Sequence, residues 1–264
     1  MRVKYFLIFL VLPLFFARPA SAVASTPENA VLVIGALHGL HDREPAFDYD
    51  RLRAAIRAFA PDILVLEVRP DELAERKETP GRPEYPAVIW PLLAQTKVEA
   101  VAMEPGGDLF KAIAGDAGAA FDALKQRDPD GAKALSRLDT DVDEILLIHW
   151  RSAGQVHDDI TASMTAAVQA AQFALAGPVF AAAQARWERH MSDQMLHAVR
   201  AHPGKRVMVI GSYKNRAMLE RVLGEASPKR AIGASNWFGR VDPQPVTPGL
   251  RPLSRTAGSP NGRR

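Results

Sequence analysis

The chain of 264 residues contains no cysteine. That excludes disulfides, thiolate metal sites, a cysteine nucleophile and a lipid-modified cysteine. It also lacks the short patterns that mark several nucleotide and hydrolase folds. There is no G-x-x-x-x-G-K-[ST] phosphate loop, "GALHGL" lacks the G-x-G-x-x-G of dinucleotide sites, and no G-x-S-x-G elbow announces a Ser-His-Asp hydrolase. Tandem repeats are missing. Long apolar runs are missing too, except at the start, where Tyr5 to Phe16 follows Arg2 and Lys4 and precedes Ala20-Ser21-Ala22. A basic start, a short apolar stretch and an A-x-A site describe a secretory signal peptide over residues 1–22, cut after Ala22 or Ala24. An uncleaved anchor is the alternative, but a span needs about 20 apolar residues. The expectation is a periplasmic or secreted protein, clear of the membrane once the leader is removed.

Acidic residues are also absent from the leader. Three of the 33 basic residues lie there and none of the 30 acidic ones, so 30 of each remain. Five arginines (Arg240, Arg251, Arg255, Arg263, Arg264) belong to the Pro/Gly/Ser-rich stretch 240–264, which reads as a disordered tail. The body between is slightly acidic and carries no basic stripe, which argues against nucleic acid as a partner. A small-molecule or peptide substrate is the expected partner. Residues 23–239, roughly 215 of them, suit one α/β domain.

Within that body, "AVLVIG" (30–35), "DILVLEV" (62–68) and "VEAVAMEP" (98–105) are short, rich in β-branched residues and without clean alternation, as strands buried on both faces should be. Helical patterns separate them: "RLRAAIRAFA", stopped by Pro61, and "YPAVIWPLLAQ", with Pro86 in its first turn and Pro91 at a kink. From about 109 to 200 the chain is alanine-rich and helical. "KRVMVIG" then returns as a strand, "NRAMLERVLG" as a helix ending at Gly224, and "RAIG" as a last short strand. The fold expected is α/β: a mainly parallel sheet, βαβαβ with a closing βα, carrying a large helical insertion.

In open parallel sheets, ligands bind beyond the carboxyl ends of the strands. The first strand runs through Gly35 into His38 and His41, the second into Glu67 and Arg69, the third into Glu104, and the fourth through Gly211 into Tyr213 and Lys214. Any one of these has an ordinary structural explanation: Glu67 as a salt bridge to Arg69 or Arg43, His38 as a donor to backbone. Together they place His, Glu, Glu and Lys at one edge. His38, His41, Glu67 and Glu104 are nitrogen and carboxylate donors of the kind zinc or manganese accepts, and such a metal could acidify a water for hydrolysis. His149 and His157, beside Asp158 and Asp159, read as a solvated face or a helix cap; His190 and His197 read as helix-surface residues.

"VLVIGALHGLHD", "PDILVLEVRPDEL", "WERHMSDQML" and "KRVMVIGSYKNRAMLERVL" resemble, in this order, the TraB/GumN superfamily, which includes the Tiki proteins. The pattern is an early Gly-x-x-His, a glutamate after the next strand, an arginine in a late helix and a second Gly-x-x-His. Here it falls on Gly35 and His38, Glu67, Arg189, and Gly211 with Lys214. The resemblance implies a Tiki-like α/β fold and metal-dependent peptidase activity. Its kin include haem-binding ChaN-like and erythromycin esterase-like branches. On that basis, and with Glu104 added as an assisting group from its place at a strand end, His38, Glu67, Glu104, Arg189 and Lys214 are the candidate catalytic residues of a peptide or ester hydrolase, with Arg189 binding a carboxylate or an oxyanion. The departure is Lys214 in place of the second histidine. A protonated ammonium ligates poorly, so either a metal binds through the remaining donors or Lys214 replaces the cation by pairing with Glu67 or Glu104. The alternative function is a non-catalytic binding protein for a small anion or haem.

Overall fold

A computed structural model describes residues 29–241 except 78 and 80. The expected leader, and the expected tail beyond Val241, lie outside the described residues. Five strands form one all-parallel sheet in the order β3-β2-β4-β1-β5. They are β1 (Val31–Ala36), β2 (Ile63–Leu66), β3 (Glu99–Ala102), β4 (Val207–Ser212) and β5 (Ala231–Ile232). The α/β class with a mainly parallel sheet and helical insertion is therefore what the chain adopts. The two similar segments, "VLVIGA" and "VMVIGS", are neighbours in the sheet, with Gly35 opposite Gly211.

Every residue of β1, β2 and β4 is buried, which explains why these strands read as continuous apolar runs. Their side chains still sort by parity. Leu32, Ile34, Leu64, Leu66, Met208 and Ile210 face one layer, packed with α1 (Tyr49–Phe59), the turn of π-helix Tyr85–Ile89 with α3 (Trp90–Gln95), and α10 (Ala234–Val241). Val31, Val33, Ile63, Val65, Val207 and Val209 face the other, packed with α8 (Pro178–Ala201) and α9 (Tyr213–Ala226). The helix after β1 thus lies on one face and the helix after β4 on the opposite face. That makes the carboxyl edge between β1 and β4 a topological switch point, where a crevice opens in such sheets.

Helix α2 (Pro70–Glu75) comes after β2. The insertion between β3 and β4 comprises α4 (Gly107–Arg127), α5 (Pro129–His149), α6 (Ala153–Val156), α7 (Asp159–Ala176) and α8. It has a small core of its own around Ala120, Leu124, Leu135, Ala176 and Phe180, consistent with alanine-rich helices packed closely. Among the described residues no helix is long and apolar enough to cross a membrane. Two boundaries differ from the sequence reading. Helix α9 runs past Gly224 to Ala226. Helix α10 extends into the expected tail and buries Trp237 and Phe238.

Candidate functional site at the carboxyl edge of the sheet

The two glycines are explained by close approach. A Cβ on Gly35 would lie 2.6 Å from Tyr213 Cα, because the start of α9 crosses directly over β1. A Cβ on Gly211 would lie 2.9 Å from Glu67 Oε2. Gly35→Ala must therefore push α9 off the sheet; we expect a loss of about 1–3 kcal/mol in urea unfolding, the usual range for overpacking.

Beyond Gly35 the chain turns at His38, whose φ of 53° is left-handed, a region non-glycine residues seldom occupy. His38 Nδ1 lies 2.8 Å from Oε1 of Glu84. Glu84 is fully buried, and its second oxygen, Oε2, has no partner among the described residues. The imidazole keeps 27% of its surface exposed, and no described residue bonds its Nε2.

His41 does different work. Its Nε2 accepts from the Leu37 N–H at 2.9 Å and its Nδ1 donates to the Phe47 carbonyl at 2.6 Å, which shapes the turn. Burial pulls its pKa down. His157, expected on a solvated face or in a helix cap, is instead buried against Phe47 and Phe238. Its Nε2 accepts from the Gly35 N–H at 3.0 Å and its Nδ1 donates to the Ala153 carbonyl at 2.7 Å. Burial lowers its pKa to about 3. It is a neutral pin between the insertion and the end of β1. Asp158, beside it, is the helix cap, accepting from the Thr161 N–H and from His149.

Glu67 is committed to α9. Its carboxylate accepts from the Ser212 N–H at 2.6 Å and from Asn215 Nδ2 at 2.9 Å, at the positive end of that helix. Neither Arg69 nor Arg43 pairs with it: Arg69 pairs with Asp71 and Glu72, and Arg43 with Glu144. Glu104 is buried and held by both terminal nitrogens of Arg82, with Nη1–Oε2 at 3.1 Å. Burial pushes its carboxyl up to about 7, while Arg82 works the other way. Burial equally disfavours the Arg82 cation, but the charge and hydrogen bonds of Glu104 outweigh that and leave it raised. The guanidinium has no accessible neutral form, so above about pH 7, where the Glu104 carboxyl is ionised, the two form a buried ion pair. Arg82 Nη1 and the Tyr85 hydroxyl also donate to the Glu67 carbonyl. One short segment, Arg82-Pro83-Glu84-Tyr85, thereby touches the residues just beyond the ends of β1, β2 and β3. None of its three polar residues was among the candidates from sequence.

Lys214 pairs with neither glutamate of the edge. Its Nζ lies 2.7 Å from Asp139 Oδ1 and 3.8 Å from Asp143 Oδ1, both on α5. Tyr213 donates to Asp143 as well. Lysine at this position anchors the insertion to the sheet, and Arg82 is the cation that neutralises Glu104. Arg189 is exposed on α8, and its neighbour His190 is the residue that lines a cleft. That cleft, about 850 Å³, opens beyond β2 and β3 between Arg69, Glu104, Phe110, Lys111 and His190, and His38 is not part of its wall.

The four residues expected to share a metal do not fit one as they stand. Both nitrogens of His41, both oxygens of Glu67 and both oxygens of Glu104 already have partners. Among the described residues, no three His, Asp or Glu side chains gather as a metal site would need. The class defined by fold and edge is a three-layer α/β protein with one available imidazole at its switch point. Comparison with protein-family models, curated proteins and solved structures gives no match.

Proposed function

We propose that the protein is a hydrolase of ester or peptide bonds, of TraB/GumN type, acting outside the cytoplasm, with His38 as its general base. The observation that carries this is the state of His38. It sits at the switch point on a left-handed backbone, held at one ring nitrogen and available at the other. Nε2 takes a proton from water as the water oxygen attacks the carbonyl carbon. The imidazolium then returns that proton to the departing oxygen or nitrogen as the bond to it breaks. Glu67 serves by fixing α9 over the edge, and Glu104 by fixing Arg82. The leader-like N-terminus and the motif order through Gly35, His38, Glu67, Arg189, Gly211 and Lys214 support the location and the family.

The mature protein should hydrolyse p-nitrophenyl acetate or a member of a short-peptide panel, and His38→Ala should lower kcat about 100-fold or more. Unchanged turnover in the variant removes His38 from the mechanism. The second reading, a binding protein for a small anion, rests on the cleft of about 850 Å³, whose wall carries Arg69, Lys111 and His190 beside the carboxylates of Asp71 and Glu104. Thermal shift with small carboxylates and haem, giving stabilisation without turnover, would select that reading.

A further inference from the structure

We infer that Glu84 is the positioning residue for His38: it fixes the imidazole as the Nδ1–H tautomer and so aims a bare Nε2 at the substrate. The catalytic consequence rests on the hydrolase reading; the tautomer does not.

Three observations carry it. First, the pairing is specific, Nδ1 to Oε1 at 2.8 Å, and the carboxylate is fully buried while the ring is part-exposed. A carboxylate is an acceptor only, so in the neutral imidazole the shared proton belongs to Nδ1 and the lone pair to Nε2. Which nitrogen of a histidine works is set by the hydrogen bond the other makes.

Second, two local penalties fall on this one pair. His38 holds a left-handed backbone, and Glu84 Oε2 is buried with no described partner. A residue that only filled space here would be better satisfied as an apolar side chain, since an unpaired buried oxygen is unfavourable. Strain of this kind collects where geometry serves a site.

Third, Glu84 cannot drift. Pro83 and Pro86 stiffen the chain around it. Arg82 is tied to Glu104 and to the Glu67 carbonyl, and Tyr85 to the same carbonyl. The carboxylate is therefore placed relative to the ends of β2 and β3 before any ligand arrives. Such preorganisation is what a supporting residue supplies.

The experiment is a long-range proton–nitrogen correlation spectrum of the mature protein, at a pH where its exposed histidines are neutral, with His38→Gln used to assign the His38 signals. The wild type should show the His38 proton on Nδ1. Glu84→Gln should shift the ring toward the Nε2–H form and lower kcat for the p-nitrophenyl ester about 10- to 100-fold with KM little changed. A wild-type ring protonated on Nε2 overturns the inference, whether or not Glu84→Gln folds. A tautomer lost in Glu84→Gln with kcat unchanged overturns it too. A wild type with the Nδ1–H ring but no hydrolysis of any substrate in the panel defeats the hydrolase reading and leaves the tautomer assignment standing.

Discussion

Taken from pH 7 to pH 4, the protein should lose about 3 kcal/mol of folding stability through His157 alone. In the folded state this imidazole is buried and its pKa is lowered from 6.5 to about 3, burial being the main cause. The unfolded chain binds the proton near pH 6.5 and the folded chain resists it. The contribution is therefore fully present above pH 6.5 and falls away as pH drops toward 3. The geometry gives a second reason. Nε2 accepts the Gly35 N–H and Nδ1 already donates to Ala153, so a proton added at Nε2 sets donor against donor at the end of β1. His41, buried and lowered in the same direction, adds to the slope. Urea unfolding of wild type and His157→Gln at pH 7, 6, 5 and 4 isolates this contribution as the difference between the two, because the raised Glu104 carboxyl works in the opposite direction over the same range in both. In His157→Gln the slope between pH 6 and pH 4 should drop by nearly one proton. An identical slope in wild type and variant would mean that His157 does not titrate as a buried neutral group.

Strands β1, β2 and β4 were legible because burial on both faces leaves an unbroken apolar run, whereas β3, read the same way, is an edge strand left partly exposed; the helices were legible because Pro61, Pro86 and the alanine-rich stretches mark them. The order β3-β2-β4-β1-β5 was not legible. Slotting β4 between β1 and β2 depends on side chains far apart in the chain, although the echo of "VLVIGA" in "VMVIGS" turned out to join strands in register. Helix α10 was lost because "NWFGR" runs straight into the Pro- and Arg-rich tail, and composition there outweighs two aromatic residues.

The site was half legible for a similar reason. Strand ends can be read from sequence, so His38, Glu67, Glu104 and Lys214 were found at the right edge. What each one pairs with could not be read. "TPGRPEYP" has the composition of an exposed loop, yet it places Arg82, Glu84 and Tyr85 against the strand ends. The only available cue was two charges and a tyrosine between prolines. "VHDD" has the pattern of a helix cap, and Asp158 is one; nothing in the residues themselves shows that His157 faces inward. Partner choice is tertiary, and here it reassigned Lys214 to α5 and gave Glu104 to Arg82.

That second pairing yields the other large effect. Arg82→Ala should destabilise the protein by about 3–5 kcal/mol at pH 8, the range for breaking a buried ion pair from one side. Glu104 is left buried without its cation, and the Glu67 carbonyl loses a donor. The penalty should depend on pH in a defined direction. Burial already raises the Glu104 carboxyl to about 7, and Arg82 is what opposes this, so removing Arg82 raises it further. A carboxyl raised above its unfolded value contributes stability that is present below about 4.5 and lost as pH rises through the folded value. The gap between Arg82→Ala and wild type, measured at the same pH to cancel the histidines, should therefore be smaller at pH 5 than at pH 8. Replacing the carboxylate should recover part of the loss at pH 8: Glu104→Gln in the Arg82→Ala background removes the unpaired charge while keeping the shape. An equal penalty at both pH values, with no recovery in the double variant, would show that Arg82 acts through packing alone. Because Arg82 also ties down the segment bearing Glu84, the single variant should loosen His38 as well, and the double variant should not repair that.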